Sequence, residues 1–282
     1  MTSHKIGFLH PGDMGISLAA AAQKSGHTAY WVSAGRSAQT RARADEHDLL
    51  DARTLADLCA ACSYIVSICP PHAAEEVAQQ VAAHSFQGFY IDANAIAPQR
   101  ARRIGLSLEE AGADFVDGGI IGGPAWEPGR TWLHLSGPRA EKVAACFVGS
   151  PLQTNILGPD PGKASALKMC FAANTKGTTA LMCAILAAAE NLGVREDLFR
   201  QWSIGGGNMA ERAAEQVRGV TSKAWRFEGE MREISSTFEE AGVPGGFHAA
   251  AAVLYSRIAQ FKDAPSKPSL ETVLAALLQE EA

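Results

Sequence analysis

Lys168 closes the run Gly162-Lys163-Ala164-Ser165-Ala166-Leu167-Lys168 at the mouth of a long apolar stretch, with Met169 and Phe171 continuing the apolar surroundings. An amine in such surroundings can hold or release a proton at a reacting oxygen, provided its pKa is lowered toward neutrality. Position alone favours a plainer reading, a surface lysine near a helix start. The residue gains meaning only if the chain also binds a reactive cofactor. His10-Pro11-Gly12-Asp13-Met14-Gly15 supplies a candidate, because it follows a short apolar strand, Lys5-Ile6-Gly7-Phe8-Leu9, and precedes an Ala-rich helix. In a strand, turn and helix of this kind the second glycine of G-x-G-x-x-G admits a pyrophosphate close to the backbone. The third lets the helix pack on the strand, and the helix N-terminus offers amide donors. Gly12 and Gly15 fit those two roles, with Asp13 and Met14 between them. His10 takes the first glycine position, so the fingerprint is incomplete and a merely structural glycine turn is the competing reading.

The second strand, His27-Thr28-Ala29-Tyr30-Trp31-Val32, should end beside the adenosine ribose. An NAD-preferring site usually carries an acidic residue there, whereas an arginine accommodates a 2′-phosphate. This chain reads Ser33-Ala34-Gly35-Arg36-Ser37, and no carboxylate follows the strand before Asp45. Ser33, Gly35 and Arg36 therefore point to NADP (NADPH), with NAD the less favoured cofactor, since a guanidinium pairs bidentately with phosphate. Arg41 and Arg43 either support Arg36 or form a solvated helix face.

Further strands recur at the spacing of a doubly wound sheet. Tyr64-Ile65-Val66-Ser67-Ile68-Cys69 ends in Pro70-Pro71, and Gly88-Phe89-Tyr90-Ile91-Asp92 ends in Ala93-Asn94-Ala95-Ile96-Ala97-Pro98. Asp114-Phe115-Val116-Asp117 runs into a glycine cluster, Gly118-Gly119-Ile120-Ile121-Gly122-Gly123-Pro124. Ligands of open α/β sheets bind at such carboxyl ends, so Cys69, Pro70 and Asn94 join the cofactor candidates; Asn94 could equally cap a helix. Segments 131–136 and 153–156 look like closing strands. The fold expected is α/β: an N-terminal Rossmann dinucleotide-binding domain over residues 1–161, then an all-α C-terminal domain over 162–282 with a long interdomain helix.

That helix should span residues 163–192, about 45 Å at 1.5 Å per residue. It is apolar on most sides, which suggests burial between the two halves or against a second copy, hence a homodimer. Gly205-Gly206-Gly207 should interrupt the later helices, and Asn208 with Glu211 has capping-box spacing.

Composition sets bounds. At 282 residues, 47% of them hydrophobic, the chain can bury a large core, and its net charge of −5 gives no basic footprint for nucleic acid. The six cysteines are scattered through apolar stretches; Cys59 and Cys62 have C-x-x-C spacing without a second ligand pair, so buried thiols are expected and no metal. Neither a signal peptide nor a membrane span is expected, which suggests a cytoplasmic protein acting on a small molecule, with neither nucleic acid nor membrane as partner.

Taken in order, the glycine turn, the Pro70-Pro71 strand end, the loop 92–98, the cluster 117–123 and the run 162–168 resemble the β-hydroxyacid dehydrogenase and 6-phosphogluconate dehydrogenase superfamily over essentially the whole chain. Phe227-Glu228-Gly229-Glu230-Met231-Arg232-Glu233-Ile234 and Ala241-Gly242-Val243-Pro244 look like its phosphogluconate-dehydrogenase-like branch, whose C-terminal domain has no assigned function. The resemblance implies an NADP-dependent oxidoreductase that transfers hydride to or from a small hydroxy acid or related carbonyl or alcohol, with Lys168 as general acid and base. It implies substrate contacts at Gly122 and Gly123, with Ile121 where the family has serine and Ala172 where it has asparagine. Asn174 lies nearby, about 160° around the helix from position 172. Lys176 is a weaker catalytic candidate, and the family's C-terminal lysine-aspartate pair is replaced by Gly229-Glu230. Imine reductases share this architecture but usually carry aspartate or tyrosine at the place of Lys168, and a non-catalytic NADP-binding protein is the remaining alternative.

Overall fold

In the structure, a computed structural model in which residues 2–279 are described, the chain divides into two compact units, Met1–Met169 and Cys170–Ala282. The first unit is a mixed eight-stranded sheet wrapped by helices. Its elements are β1 (Lys5–Phe8), α1 (Asp13–Lys24), β2 (Thr28–Trp31), α2 (Ala38–Glu46), β3 (Leu50–Asp51), α3 (Leu55–Ala61), β4 (Tyr64–Ser67), α4 (Ala74–Ala83), β5 (Phe89–Asp92), α5 (Pro98–Glu110), β6 (Asp114–Gly122), β7 (Thr131–Ser136), α6 (Ala140–Ala145) and β8 (Gln153–Ile156). The strand order is β3-β2-β1-β4-β5-β6-β7-β8, all neighbours parallel except the antiparallel pair β6 and β7. This is the expected Rossmann arrangement.

Both faces of the sheet are covered, which is why its central strands are apolar without alternation. Ile6, Phe8, Val66, Ile91 and Val116 fill one layer with α1, while Ile65, Tyr90 and Phe115 fill the other with Ile104 and Leu108 of α5. Successive side chains of one strand thus serve opposite layers.

Three local expectations need correction. The glycine cluster after Asp117 is not a loop: β6 runs on to Gly122, paired in register with β7 from Asp117↔Ser136 to Gly122↔Thr131. Strand β3 was absent from the sequence pattern, because its two residues, Leu50 and Asp51, are both exposed and carry no periodicity. Helix α9 (Met209–Gly219) does begin after Asn208, but the Asn208 side chain makes no capping bond.

Helix α7 (Lys163–Asn191) is 29 residues long and passes from one unit into the other. The second unit adds α8 (Arg195–Ser203), α9, α10 (Thr221–Glu240), α11 (Gly246–Arg257) and α12 (Leu270–Leu278), an all-helical region as expected. Its core includes Val217, Met231, Ile234, Leu274 and the fully buried Tyr255, whose hydroxyl donates to the Lys176 carbonyl at 2.8 Å. Not all of α7 is covered. Ala180, Cys183 and Leu186 are buried, but Phe171 and Leu181 stand 45% and 44% exposed. Among the described residues no helix is long and apolar enough to cross a membrane.

Candidate active site

The first turn of α7 is fixed by a buried carboxylate at the carboxyl end of the parallel part of the sheet. Asp117 Oδ2 accepts from the amides of Gly162, Ala164 and Ser165 at 2.9, 2.9 and 3.1 Å and from the Ser136 hydroxyl at 2.7 Å, while Oδ1 accepts from the Ser165 hydroxyl at 2.5 Å. These are donors that a helix N-terminus leaves unsatisfied, and a negative charge there is favoured by the helix dipole. Gly162 turns the chain into the helix with φ of +98°, a conformation that strains other residues.

Gly119 then sets how close the helix comes. A Cβ on Gly119 would stand 2.5 Å from the Ala164 carbonyl and 3.1 Å from Lys168 Cβ, so only glycine lets α7 lie this near β6. Lys168 is consequently half-buried beside β6, two residues past the point where Asp117 pairs with Asp92 of β5. Gly118, on the other face of the strand, lies against the carboxyl end of β5, its absent Cβ 3.0 Å from Asp92 O and 3.4 Å from Ala93 Cα. Ile121 shares the face of Asp117 and Gly119 by the two-residue period. Gly122, with φ of +121°, leaves no room for a Cβ against Arg130 O, whereas Gly123 opens on free space.

Asn94, immediately beyond β5, is buried and joins two strand ends. Its Oδ1 accepts from the Cys69 amide at 2.6 Å and its Nδ2 donates to the Ser67 hydroxyl at 3.2 Å. It therefore fixes the Cys69-Pro70 turn and is not acting as a helix cap. Asp92 beside it is buried, with one oxygen accepting the Asn94 amide at 3.0 Å and Oδ2 without a partner. Burial, aided by the charge of Asp117 and opposed by the bonds from Asn94, raises its pKa to about 7. The folded state thus holds this proton more tightly than the unfolded chain, where an aspartate titrates near 4. The stability so gained is complete below about pH 4 and is lost as pH rises through about 7. Thermal melts of the wild type should therefore fall between pH 5 and pH 8, and Asp92→Asn should flatten that fall; an unchanged slope would exclude Asp92 as its source.

The glycine turn after β1 has the shape a dinucleotide needs. Gly12 caps α1 with open space where a side chain would be, and a Cβ on Gly15 would lie 2.1 Å from the His10 carbonyl. Asp13 is exposed and pairs with Arg43 at 2.8 Å, and Met14 packs on the core. These residues fit a bound pyrophosphate: backbone accessible at Gly12, helix amides beyond it. Ser33 is buried, receives Arg41 Nη2 on its carbonyl at 2.7 Å, and donates its amide to Asp51 Oδ1 at 3.1 Å. That carboxylate at the end of β2 was invisible in the sequence because it arrives from β3. Gly35 has φ of +71°, and Arg36 folds back so that Nη2 donates to Leu9 O at 3.1 Å.

These features match known families in both parts of the chain. Residues 5–144 match the family described as the NAD binding domain of 6-phosphogluconate dehydrogenase, and residues 189–258 match a domain of unknown function, DUF1932. Residues 5–144 belong to the NAD-binding domain family of 6-phosphogluconate dehydrogenase. A solved conserved protein of unknown function, described as structurally similar to 3-hydroxyacid dehydrogenases, is 26% identical and superposes with a TM-score of 0.65 over 91% of this chain and 97% of that one. The 3-hydroxyisobutyrate dehydrogenase of Mycobacterium tuberculosis, solved with L-serine, shares the fold at 17% identity and a TM-score of 0.66 over 99% of this chain and all of that one. An uncharacterized 28.5 kDa protein of Methanothermus fervidus is 26% identical over 196 residues, 69% of this chain and 74% of that one.

The match over residues 5–144 makes the first unit a dinucleotide-binding fold of the dehydrogenase type. Lys176 forms an ion pair with Glu230 at 2.8 Å, both side chains little exposed, with the Phe227 ring 4.8 Å from its ammonium. Glu230 is thus partnered from α7 itself. Ala172 is fully buried and Asn174 is exposed.

Proposed function

We propose that the protein is an NADP-dependent oxidoreductase that moves hydride between the nicotinamide and a small hydroxy acid or a related carbonyl or alcohol, with Lys168 as general acid and base. The observation that carries this reading is the approach of Lys168 to β6 at Gly119, on the side of the sheet where open α/β folds take up ligands. The nicotinamide, when bound, supplies or accepts the hydride. In reduction the Lys168 ammonium stabilises charge developing on oxygen and delivers the proton; in oxidation the neutral amine removes it. Gly12, Asp13, Met14 and Gly15 are proposed to hold the pyrophosphate, Ser33, Gly35 and Arg36 the adenosine end, and Cys69, Pro70 and Asn94 the nicotinamide side. Asn94, Ile121, Gly122 and Gly123 are the proposed substrate contacts on the first unit, with Asn174 the proposed one on α7. Isoleucine at 121 removes a hydroxyl from the carboxylate seat, which favours larger or less acidic substrates over small 3-hydroxy acids.

The test is nicotinamide absorbance at 340 nm, with NADP+ and NAD+ against hydroxy acids and with NADPH and NADH against aldehydes and cyclic imines. Turnover is expected with NADPH on carbonyl compounds before imines and with NADP+ on hydroxy compounds; binding of the dinucleotide without turnover on any of them would overturn the enzymatic reading. The same preparation is proposed to be a homodimer, since Phe171, Leu181, Phe247 and Val253 of the second unit are 36–49% exposed. A monomer in sedimentation at micromolar concentration would contradict that.

A further inference from the structure

The residue that breaks the glycine fingerprint stands next to the residue read as phosphate-binding. His10 occupies the first glycine position, directly after Leu9, whose carbonyl accepts from Arg36 Nη2 at 3.1 Å; burial first, and then the Arg36 charge, hold the imidazole down at about 4. Both groups have nitrogens left over. His10 Nδ1 and Arg36 Nε are buried without a hydrogen-bond partner among the described residues, while Arg36 Nη2 donates to Leu9 O. Neighbouring charges are already engaged: Arg41 on the Ser33 carbonyl, Arg43 on Asp13 and the Pro11 carbonyl, Asp51 on the Ser33 and Arg53 amides. The Cys69 thiol also faces Arg36, and burial pushes it up to about 12 and so keeps it neutral. Arg36 Nε is a buried donor lacking its acceptor, and the imidazole beside it has an unpartnered nitrogen as well, whereas buried polar groups ordinarily find partners.

We propose that His10 and Arg36 together seat the 2′-phosphate of NADP(H), with the imidazole a specificity-determining side chain in the place where the fingerprint has a glycine. This rests on the dinucleotide reading above and extends it. Arg36 follows β2, the strand whose end meets the adenosine ribose, so the anion it faces is the one on the ribose; the pyrophosphate belongs to Gly12 and the amides of α1. A phosphate there draws Arg36 off the Leu9 carbonyl, where charge-assisted bonds replace a neutral one, and His10 donates a further N–H to it.

The test measures dissociation constants for NADPH and NADH, by quenching of protein fluorescence, in the wild type and in His10→Gly, His10→Ala, His10→Gln and Arg36→Ala. Restoring the fingerprint glycine should weaken NADPH binding by about 10-fold and leave NADH within about twofold, the loss of one charge-assisted bond. His10→Ala should behave as His10→Gly does, His10→Gln should recover part of the affinity, and the double variant of His10 and Arg36 should lose less than the product of the single losses. Unchanged or tighter NADPH binding in His10→Gly would overturn the inference while leaving the dinucleotide reading intact, and equal losses for both dinucleotides would move His10 to the pyrophosphate and overturn it too. If the wild type binds neither dinucleotide, both readings fall.

Discussion

Replacing Lys168 by alanine is expected to lower kcat by about 10²- to 10⁴-fold while the NADPH dissociation constant stays within about twofold. The asymmetry follows from when the side chain acts. Charge on the substrate oxygen develops only as hydride moves, so an ammonium placed for it stabilises the transition state far more than the ground state. Its location is set by two features that alanine at 168 leaves in place, the absent side chain of Gly119 and the five donors converging on Asp117. The change should therefore remove the amine without moving the helix. Lys176 offers no ready substitute, because its ammonium is engaged by Glu230. Lys168→Arg separates charge from proton transfer. Arginine stays protonated, so it should recover, in both directions alike, only the part of the rate that comes from charge stabilisation and none that comes from proton transfer. A Lys168→Ala variant that keeps more than about a tenth of wild-type kcat, with chemistry shown to be rate-limiting, would assign the proton to a water and remove the central residue of this mechanism.

The sequence made the fold legible where one period ran unbroken. Strands such as Tyr64–Ser67 and Phe89–Asp92 are buried on both faces and bounded by Pro or Asn, and they came out in place. What stayed hidden depends on partners distant in the chain. The run Gly118 to Gly122 has the composition of a loop, and only its pairing with β7 makes it a strand. Asp51 reaches the end of β2 from a two-residue strand that carries no hydrophobic signal. Lys168 could be singled out in the sequence, but the groups that place it could not. Asp117 meets the α7 amides across 45 to 48 residues of chain, and no spacing rule links them. A buried aspartate just before a glycine-rich stretch was the available clue, and it pointed only to a strand end.

Asp117 is where the largest loss of stability is expected. Substitution by alanine would leave three backbone amides and the hydroxyls of Ser136 and Ser165 without their acceptor in a place that water does not reach, since Asp117, Ser136 and Ser165 are each 1% exposed or less. An unsatisfied buried donor costs about 1–3 kcal/mol, but neighbouring losses overlap as the helix end relaxes, so about 3–5 kcal/mol is expected for the whole. Asp117→Asn preserves the shape yet turns an NH₂ toward donors, and should cost most of the same amount. Ser165→Ala gives up one of the five bonds and should cost about 1 kcal/mol. Chemical denaturation of the three variants measures this ordering directly. A second readout separates positioning from bulk stability: at a temperature where Asp117→Asn remains folded, kcat should fall while NADPH affinity holds, because fraying of the first turn of α7 loosens Lys168, one turn away, and leaves the glycine turn at Gly12 untouched. An Asp117→Asn protein within about 1 kcal/mol of wild type, or one whose NADPH affinity collapses together with kcat, would show that the carboxylate does not hold the helix that carries the lysine.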